Sequence, residues 1–345
     1  MSLYEFFGIL GNNSGLWLPI LLVLGVIFVN GWTDAPGAIT ASVSTGALDL
    51  KSGIILAAIF NFVGAAVMGL VNTSVLKSVE DITLMIDGDK ALPILSAALI
   101  SIIVWAIAAW YFGIPTSESH ALISGIFGAA VASNGGFKGI ETLALRLAFW
   151  GLVISLPLGF LCGVSVGKLT ELVLCDTENT RTQRTVKALQ RIGSATMAFM
   201  HGAQDSQKFA GVFVAALVMS GESESAIGVP VWLTLLCSTV IALGTAVGGY
   251  RIIKRVGMET VTLTPIKGLA ADISASICML AASFFGIPVS TTHTATASVI
   301  GAGMSRRGGK INIRSVREMI VAWILTFPCC GLISYLAVKI YDLFV

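Results

Sequence analysis

Long apolar stretches separated by short polar ones run through this chain from end to end. A helix that crosses a bilayer needs about 20 mostly apolar residues, and the pattern yields ten candidate segments. Five precede a hydrophilic stretch at Gly167–Lys187: Leu16–Leu48 (long and interrupted), Gly53–Val75, Leu92–Phe112, Ser117–Ala132 and Leu143–Val166. Five follow it: Ala188–Ser220 (also interrupted), Val231–Gly249, Gly268–Phe285, Ser290–Met304 and Val316–Tyr341. The expected fold class is an all-α polytopic membrane protein. Residues 1–166 form one transmembrane unit, 167–187 a linker and 188–345 a second unit. Ser117–Ala132 and Ser290–Met304 are short enough to be re-entrant rather than spanning.

Composition agrees with a lipid environment. Charged residues make up 12% of the 345 and hydrophobic residues 55%, whereas soluble domains carry roughly 25% charge. The net charge of +2 is too small to mark a nucleic-acid surface, so the bilayer is the expected partner. None of the six cysteines forms a CxxC pair, and most sit in apolar runs as buried reduced thiols. The first basic residue is Lys51, so no basic leader region precedes the first apolar segment.

Basic residues orient the segments. If all ten cross, fifteen of the 21 Lys and Arg fall in loops on one side and five on the other, with Lys208 inside a segment. Basic loops stay in the cytoplasm. The linker is therefore expected in the cytoplasm, with both termini outside the plasma membrane.

The two units resemble each other. Asn30-Gly31-Trp32-Thr33-Asp34-Ala35-Pro36 matches His201-Gly202-Ala203-Gln204-Asp205-Ser206-Gln207, 171 residues later. Gly113-Ile114-Pro115-Thr116-Ser117-Glu118-Ser119-His120 matches Gly286-Ile287-Pro288-Val289-Ser290-Thr291-Thr292-His293, 173 residues later. Two motifs at nearly one offset indicate duplication. With five segments per copy, the copies must be inverted, a recurring build of secondary transporters whose substrate sits where broken helices meet near the midplane.

The repeated motifs hold the chemistry. Asp34 and Asp205 each lie in a long apolar stretch, where a charge costs about 2.5–3.5 kcal/mol on insertion scales. That cost calls for an ion, a proton or a fixed partner; for Asp205 the fixed partner could be Lys208, one turn later. Adjacent glycines, and Pro36 in the first copy, predict a broken helix at both aspartates. The clusters Thr116-Ser117-Ser119 and Ser290-Thr291-Thr292 open helices. They are either simple caps or, with free N–H groups and a positive dipole end, an anion site. Glu118 stands where the other copy has Thr291, and a carboxylate there suits a coupling cation or proton. His120, His201 and His293 all fall in the motifs, as accessory site groups or as helix-packing donors. No GxSxG, HExxH or Walker motif occurs, so an enzyme is not expected and no cofactor is implied.

The same residues carry a family resemblance. His201–Lys208, Leu263-Thr264-Pro265 with Lys267-Gly268, Pro288–His293 and Val321-Ala322-Trp323 in the second half, with Asn30–Asp34 and Pro115–His120 in the first, resemble the inorganic phosphate transporter family over essentially the whole chain. The resemblance implies a homodimeric secondary transporter importing inorganic phosphate by symport with sodium or protons. It implies that Ser117, Ser119, Ser290, Thr291, Thr292, Asp34 and Asp205 line the phosphate site. Asp34 and Asp205 with Thr33, Gln204 and Glu118 would hold the coupling ion, sodium being the only metal expected. The family's Asn before each Asp is here Thr33 or Gln204, and Gly37 replaces another Asn. These departures leave the coupling ion open. A sulfate permease of the same fold and an uncoupled anion channel are the alternatives. Protonated phosphate can donate a hydrogen bond to a carboxylate and sulfate cannot, so aspartates facing the anion favour phosphate.

Overall fold

Apolar runs of this length, with too few charges to stay in water, satisfy their backbone polar groups internally by forming helices. The computed structural model describes all residues except 115, 138–139, 141–142, 175–179, 222–228, 255, 257–259, 306–310 and 345, and excludes the side chains of 180–182 and 252. The described helices are α1 (Leu3–Asn12), α2 (Trp17–Thr33), α3 (Thr40–Ser44), α4 (Leu50–Val71), α5 (Ser74–Thr83), α6 (Ala91–Tyr111) and α7 (Glu118–Ser133) in the first half. They continue as α8 (Leu143–Val173), α9 (Thr180–Met219), α10 (Val231–Val247), α11 (Tyr250–Ile253), α12 (Pro265–Phe284), α13 (Thr291–Gly303) and α14 (Ile313–Phe344). Six described helical stretches are long and apolar enough to cross a membrane: Ser14–Ser44, Leu50–Val71, Ala91–Tyr111, Leu143–Val173, Pro265–Phe284 and Ile313–Phe344. The protein is thus a multi-pass membrane protein. Its outer faces are apolar, as with Ile55 and Ile59 on α4 and Leu158 and Leu161 on α8, all exposed.

Helix packing follows the duplication. α2 packs on α10 as α9 packs on α4; α2 packs on α6 as α9 on α12; α7 packs on α14 as α13 on α8. Swapping the halves leaves these pairs unchanged. Close backbone approaches are also doubled. A Cβ on Gly202 would stand 2.2 Å from the Asn61 carbonyl oxygen on α4, and one on Gly31 would stand 2.2 Å from that of Ile241 on α10. Backbones this close admit only glycine, the small-residue packing of membrane helices. Gly202→Ala is therefore expected to force α9 from α4 and to cost about 1–3 kcal/mol, as overpacking does. A thermal unfolding curve in detergent measures it.

The two helical hairpins α6–α7 and α12–α13 open toward opposite ends. Lys90, just before α6, lies 3.9 Å from Asp342 near the end of α14, and Lys339 donates to the Ala132 carbonyl of α7 at 2.9 Å. The second hairpin's open end is closed by Lys267, which donates to Gly303 O at 2.9 Å. It lies beside the start of α14, where Val261 touches Gly303 and pairs with Ile311. α14 is 32 residues long, ~48 Å at 1.5 Å per residue, and it runs from one open end to the other. The closed tips share one turn geometry. Gly113 and Gly286 both have φ of 65°, a left-handed conformation that suits glycine. Ile114 and Ile287 each donate to the carbonyl five residues back, Ala109 O and Ala282 O, at 2.9 Å.

One expectation is corrected. Helix breaks were expected at both aspartates. The first is present: α2 ends at Thr33, a 3-10 turn covers Ala35–Ile39 and α3 follows. Pro36 lacks the N–H that a continuing helix needs. The second is absent, because α9 runs through Asp205 for 40 residues without proline. The glycine beside Asp205 serves close packing, not a break. In addition, α8 and α9 extend into 167–187 from both sides, and α1 and α5 were not anticipated.

Candidate functional site

The hairpin tips meet inside the bundle, where they face the break after α2 and the middle of α9. Ser119 donates to Val289 O of the opposite tip at 3.3 Å, and Thr292 lies 3.2 Å from Thr116 O in the reciprocal contact. Asp34 is held by the second tip: its Oδ1 is 2.5 Å from the Thr292 hydroxyl and its Oδ2 3.2 Å from that of Thr291. The Thr291 hydroxyl is also 3.2 Å from Asp205 Oδ2, so it stands between the carboxylates of the two halves. Asn30 donates to Asp205 at 3.0 Å. Lys208 donates to Asp205 Oδ1 at 2.7 Å, to Ser119 Oγ at 2.8 Å and to Val289 O at 2.6 Å. Thr33 and Glu118 are in hydrogen-bond contact, joining the break after α2 to the first tip. Asp34, Asp205, Glu118 and Lys208 are all buried.

Such burial is costly for any charge without compensation. Asp205 has it in Lys208, the pairing weighed from sequence as a structural salt bridge. Asp34 receives hydroxyls, with His201 and Asp205 close by. One side-chain ligand atom each of Asp34, His201 and Asp205 lie within 4.8 Å of one another, a spacing that suits one cation. A small cavity touches Asp34, Gly37, His201, Thr291 and Thr292, with about 10 Å³ open to the centre of a water-sized sphere. That is room for roughly one water.

Other expected site residues are placed differently. Ser117 and Ser290 are N-caps of α7 and α13, accepting the amides of His120 and His293 at 3.2 and 3.1 Å. The Ser117 hydroxyl is also 2.7 Å from His120 Nδ1, so both of its roles are taken. Ser117→Ala is expected to lower stability by about 1 kcal/mol and to leave phosphate affinity of the folded protein unchanged, as thermal melts and calorimetric titration would show. Gln204 turns its amide to α12, donating to Ser283 Oγ at 2.9 Å and Met279 O at 3.3 Å. His120 and His293 stack at 4.4 Å between ring centres, and Trp323 covers His293 at 4.3 Å. His201 alone of the three reaches an aspartate, 3.4 Å from Asp205 Oδ2, with Asn61 at 3.0 Å on its other nitrogen. Sequence reasoning did not single out Asn30 or Asn61. Asn30 carried a signal, since it occupies the first copy's counterpart of His201.

Buried carboxylates from both halves, bracketed by two opposed hairpin tips in a multi-pass helical protein, make the polar centre of a solute transporter. The model of the Phosphate transporter family matches the chain twice, over residues 30–181 and 174–334. A Bacillus subtilis (strain 168) protein named "Probable low-affinity inorganic phosphate transporter" is 33% identical over 95% of this chain and 98% of its own. One of the same name from Rhizobium meliloti (strain 1021) is 34% identical over 96% and 99%. A solved structure titled "The sodium-dependent phosphate transporter" superposes with a TM-score of 0.80 over 96% of this chain and 100% of that one, at 20% identity, which establishes the fold. The chain belongs to the phosphate transporter family, whose members named here are transporters and not enzymes.

Proposed function

We propose that this protein carries inorganic phosphate across the plasma membrane by symport with a monovalent cation, sodium or a proton. The observation that carries the reading is the meeting of Asp34 and Asp205 at the Thr291 hydroxyl, which joins both halves and a hairpin tip at one point. The cation sits at Asp34, next to the Thr292 hydroxyl and the Thr116 carbonyl, with Thr33, Glu118 and the Lys208-paired Asp205 close by. Phosphate is bound by Ser119, Thr291, Thr292 and the first two amides of α7 and of α13, which have no intrahelical partners and precede the capped amides of His120 and His293. The small cavity is supporting geometry for an occluded form, so the tips must part to admit the anion. The doubled packing and the opposed hairpins support two inverted copies working as alternating gates. The basic bias supports a cytoplasmic linker with both termini outside. The homodimer is part of the same proposal, drawn from the family.

Purified protein in proteoliposomes, given sodium and proton gradients in turn, is expected to concentrate radiolabelled phosphate under one of them. Excess sulfate is expected not to compete, since the facing carboxylates repel an anion without a proton to donate. Equilibration without accumulation would favour the uncoupled channel, and strong sulfate competition the sulfate permease.

A further inference from the structure

Lys208 has an unusual setting for a lysine. It is 1% exposed, and its three donors match three oxygens: a carboxylate (Asp205), a hydroxyl (Ser119) and a carbonyl (Val289), all within 2.8 Å. An ammonium has three donors and no acceptor, so this shell is complete. It is also the kind of oxygen shell that a small monovalent cation takes.

The duplication maps this shell onto a second one. At the two motif offsets, Asp205 corresponds to Asp34, Ser119 to Thr292 and Val289 to Thr116. The second set is assembled too: Thr292 Oγ1 lies 2.5 Å from Asp34 Oδ1 and 3.2 Å from Thr116 O, as Ser119 lies 3.3 Å from Val289 O. The counterpart of Lys208 is Gly37. No heavy atom lies within 4 Å of where a Cβ on Gly37 would stand, and Gly37 lines the small cavity with Asp34 and Thr292. One half therefore supplies its own cation on a tether, and the other offers matching oxygens with open space in place of the tether.

We propose that Lys208 is a built-in cation that sets transport stoichiometry. Its ammonium permanently holds one of two related three-oxygen positions, so the protein carries one fewer free cation per phosphate than the duplicated site could accept. The inference rests on the cation-coupled reading above. It assigns Lys208 a part in ion counting that a merely structural ion pair would not have.

Two substitutions test it from opposite directions. Lys208→Ala frees the filled position, and Gly37→Lys, entering open space at a residue without positive φ, fills the free one. In proteoliposomes with clamped membrane potential, reversal potentials under sodium or proton gradients give the cations moved per phosphate. That number is expected to rise by one in Lys208→Ala and to fall by one in Gly37→Lys. A wild-type count in either folded variant would overturn the proposal. Should Lys208→Ala fail to fold, Gly37→Lys decides alone. A wild-type protein that moves no phosphate would sink the transport reading instead. Sodium and proton titrations by calorimetry in detergent then decide this one: one more cation in total is expected to bind in Lys208→Ala than in wild type, and an equal total would overturn it.

Discussion

Asp34→Asn protein is expected to fold, to insert and to lose almost all uphill phosphate uptake. The amide oxygen can still accept the Thr292 hydroxyl, now 2.5 Å from Oδ1, so the tip keeps a contact. What disappears is the negative charge that a coupled cation needs. A hydrogen bond to a charged group is worth about 1.5–3 kcal/mol; Asp34 takes one from Thr292 and shares the Thr291 hydroxyl with Asp205. Losing the charge should lower uptake by about 100-fold or more. Asp205→Asn is a different experiment, because it strands the Lys208 ammonium. Breaking a buried pair costs about 3–5 kcal/mol, so loss of activity there would be mixed with loss of fold. Asp205→Asn combined with Lys208→Met removes both charges and separates the two effects. Uptake and thermal stability should be measured on the same preparations. Normal uptake by well-folded Asp34→Asn would make Asp34 a structural residue.

Six of the ten apolar segments coincide with helical stretches long and apolar enough to cross a membrane, because bilayer thickness imposes a length that a sequence cannot hide. α5 escaped that test: it has only ten residues and carries Lys77, Glu80 and Asp81, so it lies below any spanning window. The break at Asp34 was legible because Pro36 removes a donor. The break expected at Asp205 was not real, because glycine next to an acid reads the same whether it ends a helix or lets another backbone approach. Only the packing of Gly202 on Asn61 tells them apart.

The site was legible as a set of residues and not as a set of pairs. Duplication and intramembrane charge picked out Asp34, Asp205, Glu118 and the tip hydroxyls. The contacts of Asp34 with Thr291 and Thr292, and of Thr33 with Glu118, link residues 85 to 258 positions apart, and helix packing alone sets their register. Gln204 shows the converse. It adjoins Asp205 in sequence, but one residue turns a helix by about 100°, and its amide faces α12. The Asp205–Lys208 pair was legible from i,i+3 spacing, whereas the Lys208 contact with Ser119 was not.

Thr291→Val is expected to weaken phosphate binding by roughly 10- to 150-fold, the loss of one hydrogen bond to a charged group. Valine keeps the branched shape of threonine and lacks only the hydroxyl. That hydroxyl has a single hydrogen, yet two carboxylates stand 3.2 Å from it, so it can serve only one at a time. It is therefore free to turn toward an anion arriving between the halves. The Ser117 hydroxyl, committed to the His120 amide and ring, has no such freedom. The pair makes a controlled comparison on one scaffold. Thr291→Val should lose affinity with little change in melting temperature, while Ser117→Ala should lose stability with little change in affinity. Titration of each purified variant with inorganic phosphate, beside its thermal melt, reads both quantities. If Thr291→Val keeps wild-type affinity, the bridging hydroxyl only holds the tips together, and phosphate must be bound by Ser119, Thr292 and the helix amides.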